Sequence, residues 1–321
     1  MARFGYTLMT EHSGPRELVR DAARAEQAGF DFEVMSDHYS PWLDSMGHSP
    51  NAWVTLGAVA HTTSSVELMT YVTCPTMRYH PAVVAQQAAT VGLISEGRFL
   101  LGLGAGENLN EHITGRGWPP VNVRHAMLRE AVQVIRSLFG GEYVDFAGEH
   151  FRVDSAKLWD VGTPPPAIGV AVSGGQSAAL AGEFADAMIA VEPQARFGEL
   201  FDAAGGAGKR RIGQVPISWD PSRDRAIERA HEQFRWFGGG WKVNSELPGT
   251  AAFAGATAYV KPADVAEGIS CGPEVASHVG AVKAFVDAGF TDVAVCQVGG
   301  DTQPEFLDWA ERELLPALRE L

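Results

Sequence analysis

Cysteine is scarce in this chain. Its 321 residues hold three, Cys74, Cys271 and Cys296. None has a close partner in sequence, which excludes a disulfide framework and any CxxC motif, and fits a reducing compartment. No apolar run is long enough to span a bilayer, and no signal peptide is read before the first strand-like run. The expectation is a soluble cytoplasmic protein with no membrane partner. Positive charge is also short, with a formal net charge of -14, so the basic footprint of nucleic-acid binding is missing. An anionic ligand must then be held by local devices such as helix N-termini. The ten histidines form no HExxH, so no metal is expected. No GxSxG nucleophile elbow occurs. Gly102-Leu-Gly104-Ala-Gly106 misses the dinucleotide fingerprint because Glu107 stands where its third glycine belongs. Gly205-Gly-Ala-Gly-Lys209 lacks the glycine spacing and hydroxyl of a P-loop.

What is present is a rhythm. Apolar strand-like runs at Phe4–Met9, Phe30–Val34, Val66–Val72, Arg98–Gly106, Ala167–Val172, Ala187–Val191, Ile212–Trp219 and Asp292–Val298 alternate with helical patterns. Phe30-Asp-Phe-Glu-Val34 alternates and predicts a strand with one buried face. Pro15 opens the first helix and Gly29 suits its stop. Tyr143–Val153 reads as a small hairpin excursion. Eight strand–helix units predict a parallel (β/α)8 barrel, with the whole chain, 1–321, as one domain. The exception is Gly238–Lys261, a glycine-, alanine- and proline-rich stretch with Trp236 and Trp241 at its entry, which predicts a lid insertion over the barrel mouth.

Chemistry gathers at four strand ends, which barrel topology brings to one C-terminal face. Asp37-His38 and Trp42 follow the second strand. Tyr71-Val72 and Cys74-Pro75 end the third, Glu107-Asn-Leu-Asn110 follows the fourth, and Ser173-Gly174-Gly175 follows the fifth. Each has a plain alternative: His38 as a hydrogen-bonded strand end, Glu107 as a helix cap, Trp42 as core, the glycine pair as a tight turn. Jointly, an acid, a histidine, an indole and an anion-binding turn point to a catalytic pocket.

The runs Ser36-Asp-His-Tyr-Ser-Pro-Trp42, Thr73-Cys-Pro-Thr-Met-Arg-Tyr-His-Pro81 and Gly104-Ala-Gly-Glu-Asn-Leu-Asn-Glu111, with Glu11 and Ser173-Gly-Gly175, carry a family likeness. The sequence resembles the luciferase-like oxidoreductases that use the deazaflavin coenzyme F420. It is most similar to the branch of F420-dependent glucose-6-phosphate dehydrogenase and F420-dependent secondary alcohol dehydrogenase. The resemblance implies a luciferase-like (β/α)8 barrel, a homodimer, and a coenzyme ring lying in the barrel mouth. A bulge with a non-prolyl cis peptide, here Tyr71-Val72, would back that ring. It implies coenzyme contacts at Asp37, Tyr71, Val72, Cys74, Glu107, Asn110, Ser173, Gly174 and Gly175, and catalytic roles for His38, Trp42 and Glu107, with Glu11 as an alternative acid–base residue. His38 would take the proton of a substrate hydroxyl while Asp37 orients the imidazole.

The substrate half departs from the sugar-phosphate branch. Where that branch places phosphate-gripping lysines, this chain reads Val191-Glu-Pro-Gln194 and Ala266-Glu-Gly268, which would repel a phosphate dianion. A neutral alcohol, hemiacetal or carbonyl substrate fits better, in a pocket formed by Trp42, Glu11, Gln194, Trp236 and Trp241. The alternatives are a sugar-phosphate dehydrogenase, a flavin mononucleotide-dependent monooxygenase of the same fold, and a catalytically silent ligand-binding barrel.

Overall fold

A computed structural model describes residues 2–321. Eight parallel strands close a barrel: β1 (Arg3–Leu8), β2 (Phe32–Met35), β3 (Glu67–Thr70), β4 (Phe99–Leu103), then β7 (Ala167–Ala171), β8 (Ala187–Ala190), β9 (Arg210–Ser218) and β11 (Asp292–Gln297). The ring is completed by β8 on β9, with Ile189 opposite Ile212, and by β11 on β1, with Val293 opposite Phe4. The hairpin β5 (Val144–Ala147) and β6 (Arg152–Ala156) lies outside it. A two-residue strand, β10 (Ser270–Cys271), pairs with the overhanging end of β9 and is too short to show a sequence period.

Alternation along each strand sorts the side chains into two sets. Phe32, Val34, Met69, Leu100, Ile189, Ile212 and Ala294 fill the barrel, while Tyr6, Leu8, Leu68, Leu101 and Val170 meet the helices outside. The N-terminal end is closed by ions. Arg3 and Arg210 each bridge Glu67 and Asp292, with contacts of 2.8–3.1 Å. This leaves the C-terminal end as the open one. The glycines of β4 are explained by crowding rather than by nucleotide binding. A Cβ on Gly102 would lie 2.0 Å from the Thr70 carbonyl oxygen, and one on Gly104 would lie 2.6 Å from Val72 Cγ2.

One expectation needs correction. The second strand is buried on both faces, not one, because helices cover its outer side. Glu33 is therefore 1% exposed, and neither carboxyl oxygen has a hydrogen-bond partner. Burial pushes its pKa well up. The folded chain thus holds a proton that the unfolded chain releases. Stability is full below the unfolded carboxylate range and declines as pH rises towards the folded value. Glu33→Gln is expected to flatten the fall in Tm between about pH 5 and pH 8, as thermal melts across that range would show.

The expected lid segment, residues 238–261, contains short helical stretches. A 3-10 turn at Arg235–Gly239 is followed by helices Trp241–Asn244 and Thr250–Ala256. Gly240 and Gly249 stand just before the two helices with φ of 72° and 85°. The glycines thus punctuate the segment, and the alanines after Thr250 propagate a helix that buries Phe253.

Candidate active site

A cavity of about 660 Å³ opens at the C-terminal mouth. Its floor is built from the last inward residues of the strands, among them Thr7, Met9, Gln214, Pro216 and Cys296. His38, Trp42, Glu11, Tyr71, Val72, Glu107 and Ser173–Gly175, all picked out from sequence, line it together. The Tyr71–Val72 peptide is cis.

His38 is 7% exposed and packs against the Trp42 ring at 4.8 Å. Its Nδ1 lies 3.3 Å from the Ser40 carbonyl oxygen, which can only accept, so Nδ1 carries the proton. The same Nδ1 is 3.0 Å from Glu11 Oε1, a charge contact off the line of the N–H, since Oε1 completes no hydrogen bond. Glu11 is fully buried. Its other oxygen accepts hydrogen bonds from Ser36 Oγ at 2.5 Å and Thr10 Oγ1 at 3.1 Å. This leaves Nε2 without a protein partner, on a residue that lines the cavity. An imidazole tied at Nδ1 turns Nε2 to the cavity, where it can serve as a base.

The carboxylate paired with His38 is therefore Glu11, not Asp37. Asp37 points the other way, as alternation at a strand end requires when Ser36 and His38 face the cavity. It accepts from Thr73 Oγ1 at 2.7 Å and from Arg78 Nη2 at 3.1 Å, and Arg78 also donates to the Asp37 carbonyl at 2.7 Å. The Arg78 backbone N–H donates to Glu111 at 2.7 Å. Burial raises the Glu111 carboxyl to about 7, against the pull of Arg78. This network ties the loops after β2, β3 and β4 together behind the cavity wall.

Asn110 and Cys74 also lie behind that wall rather than on it. Asn110 accepts from the backbone N–H groups of Tyr39 and Ser40, at 2.8 and 3.2 Å, and donates to Glu107 Oε2 at 3.1 Å. It positions both the His38 loop and Glu107. Cys74 is buried against Thr76 and beneath Gly106, where a Cβ would lie 2.6 Å from its sulfur. Gln194 also lies off the cavity wall. It is exposed, hydrogen-bonds Glu192 and stands just before helix Ala195–Phe201, while Val191 and Glu192 line the cavity in its place.

One wall is aromatic. Trp42 stacks on Trp236 with centroids 4.0 Å apart, and Trp241 and Phe253 meet its edge at 6.1 and 5.1 Å. Phe234, Phe237 and the segment Gly240–Glu246 complete this side. The opposite wall holds the Ser173–Gly174 turn, whose two N–H groups donate to Ser177 Oγ at 3.0 and 3.2 Å, and the start of helix Gly175–Phe184. Sequence reasoning missed Arg124 and His125, which also line the cavity. The available signal was Arg124 itself, a cation on the stripe that runs on through Leu128, Ala131 and Ile135, the buried face of its helix. Among the described residues no cluster of metal-ligating side chains occurs, and no helix is long and apolar enough to cross a membrane.

Residues 1–292 match the profile of the luciferase-like monooxygenase family, and the chain belongs to that family. Over 98% of its length it is 37% identical to the F420-dependent hydroxymycolic acid dehydrogenase of Mycobacterium tuberculosis, covering 88% of that protein. Over 99% of its length it is 35% identical to the F420-dependent glucose-6-phosphate dehydrogenase of Nakamurella multipartita, covering 97% of that protein. An F420-dependent secondary alcohol dehydrogenase, solved in complex with an F420–acetone adduct, superposes with a TM-score of 0.88 at 27% identity, over 99% of both chains.

Proposed function

We propose that this protein is an F420-dependent oxidoreductase that moves a hydride between the coenzyme and a neutral alcohol, hemiacetal or carbonyl substrate. The single observation that carries this is His38, which presents a free Nε2 to the cavity while Nδ1 is held between Ser40 and the buried Glu11. The residues fit the coenzyme. Gly104 and Gly106 put bare backbone on the cavity wall, and the buried Arg124 Nε has no partner. Tyr71, Val72, Ser173, Gly174 and Gly175 would hold the coenzyme. When bound, the deazaflavin supplies a two-electron acceptor or donor. In the oxidative direction the substrate O–H proton passes to His38 Nε2 as the carbinol C–H leaves as hydride. The Glu11 carboxylate stabilises the imidazolium that forms, and Glu107, tied to the His38 loop through Asn110, manages charge at the ring edge. In the reductive direction His38 returns the proton.

The mouth favours an uncharged, largely apolar substrate. Five aromatic rings, those of Trp42, Phe234, Trp236, Phe237 and Trp241, face it, and Glu192 adds negative charge. Among the described residues, Lys242 is the one lysine that reaches the wall. Gly240–Glu246 acts as a lid on this side. Titration of the purified chain with F420 and with flavin mononucleotide tests the reading. Saturable F420 binding is expected, and tight binding of the flavin alone would overturn it.

The protein is read as a cytoplasmic homodimer. Helices Ala52–Thr62 and Pro81–Ile94 are apolar on nearly all faces, and Val54, Val83, Leu93 and Ile94 stand exposed on them. Light scattering is expected to give twice the 34.4 kDa chain mass. The three cysteines are buried and free, as suits a reducing compartment.

A further inference from the structure

Arg124 is the one cavity-lining cation that is almost wholly buried, at 3% exposure. Its Nη1 donates to the Pro119 carbonyl at 3.0 Å, and its guanidinium lies over the Trp118 ring at 4.2 Å. Its Nη2 donates to Glu246 Oε1 at 2.8 Å, and Nε has no partner. Glu246 is a different kind of partner. Its side chain is 51% exposed, and it sits on the short segment Gly240–Glu246 that crosses the mouth. That segment is also anchored by Asn244, whose Nδ2 donates to the Trp236 carbonyl at 3.2 Å, and by the edge contact of Trp241 with Trp42. The Asn108 backbone N–H donates to the Ser245 carbonyl at 3.0 Å, and Asn108 Nδ2 to the Glu246 carbonyl at 3.1 Å. The guanidinium shares the cavity lining with His125, Lys242 and the start of helix Gly175–Phe184.

A buried guanidinium that needs a counter-charge here takes it from a half-exposed carboxylate on a strap. Replacing that carboxylate with another anion costs little desolvation, because the cation is already buried and already paired. The unpartnered Nε adds a further donor for the newcomer. The deazaflavin coenzyme is such an anion beyond its ribityl chain, where it carries a phosphodiester and carboxylates.

We propose that Arg124 binds the anionic tail of the coenzyme, and that Glu246 holds this guanidinium until the tail displaces it. Tail binding and release of the Gly240–Glu246 strap are then one exchange. The proposal rests on the F420 reading above and adds a specific cation and an internal competitor to it.

The test compares equilibrium binding of F420 with that of its tailless deazaflavin nucleoside, which ends at the ribityl chain. Arg124→Met is expected to weaken F420 about tenfold or more and to leave the nucleoside unchanged. Glu246→Gln removes the competitor, so F420 binding tightens several-fold while the nucleoside is again unaffected. Without ligand, both variants free the strap, and trypsin cuts after Lys242 faster than in the parent chain. Equal weakening of both ligands by Arg124→Met, or weaker F420 binding in Glu246→Gln, overturns the exchange while the coenzyme reading stands. A parent chain that binds neither deazaflavin overturns the coenzyme reading, and the proposal with it.

Discussion

His38→Ala is expected to lower kcat by about 10²–10⁴-fold while leaving the F420 dissociation constant within a few-fold of the parent value. The loss corresponds to roughly 3–5 kcal/mol of transition-state stabilisation. It follows from the position of Nε2, which no other side chain duplicates. Of the neighbouring carboxylates, Glu11 Oε2 is engaged by Ser36 and Thr10 and its Oε1 is held against His38 Nδ1, while Glu107 Oε2 is engaged by Asn110. Ring removal also takes away a face that packs on Trp42, so a melt must accompany the kinetics. A change in Tm of a few degrees with lost turnover supports a chemical role, whereas full turnover would support a silent ligand-binding barrel.

Glu11→Gln is expected to have the next largest effect, a fall in kcat of about ten- to a hundredfold with KM nearly unchanged. Glutamine keeps the shape and can still accept from Ser36 and Thr10. It loses the charge that sits 3.0 Å from Nδ1 when the imidazole becomes an imidazolium. The effect is therefore confined to the state in which His38 holds the substrate proton. The double variant Glu11→Gln/His38→Ala separates this from general damage. If the carboxylate acts only through the imidazole, the double variant is no slower than His38→Ala alone, as expected for two groups acting as a unit. Additive losses would mean that Glu11 meets the substrate directly. Asp37→Asn offers the contrast. It is expected to loosen the loops held by Arg78 and Thr73, and so to lower Tm more than kcat.

The barrel was legible from sequence because its strands are nearly continuous apolar runs of the right length, spaced by amphipathic helices. The convergence of His38, Trp42, Glu107 and Ser173–Gly175 followed from that topology alone. The pairing of Asp37 with His38 failed because adjacency in sequence was read as adjacency in space. Asp37 is next to His38 along the chain and therefore points away from it, while Glu11, on another strand end, reaches it. Asn110 was selected with Glu107 but sits one layer behind, where its amide joins two loops. Gln194 lies on the turn of a helix that leaves the mouth. Within 238–261 two of the glycines, Gly240 and Gly249, mark helix starts that composition alone does not show. Arg124 was hidden by its distance from every recognisable motif, although a cation on a buried helical stripe asks for a partner in any sequence.

The central claim is hydride exchange between F420 and a neutral substrate, with His38 as the base. It is tested most directly by anaerobic incubation of the protein with oxidised F420 and a panel of secondary alcohols, sugars and sugar phosphates, following loss of the oxidised deazaflavin absorbance. Reduction of the coenzyme by one or more uncharged, largely apolar alcohols, absent in His38→Ala, is the expected result. Reduction by sugar phosphates alone, or equal reduction by the parent and His38→Ala chains, would contradict it.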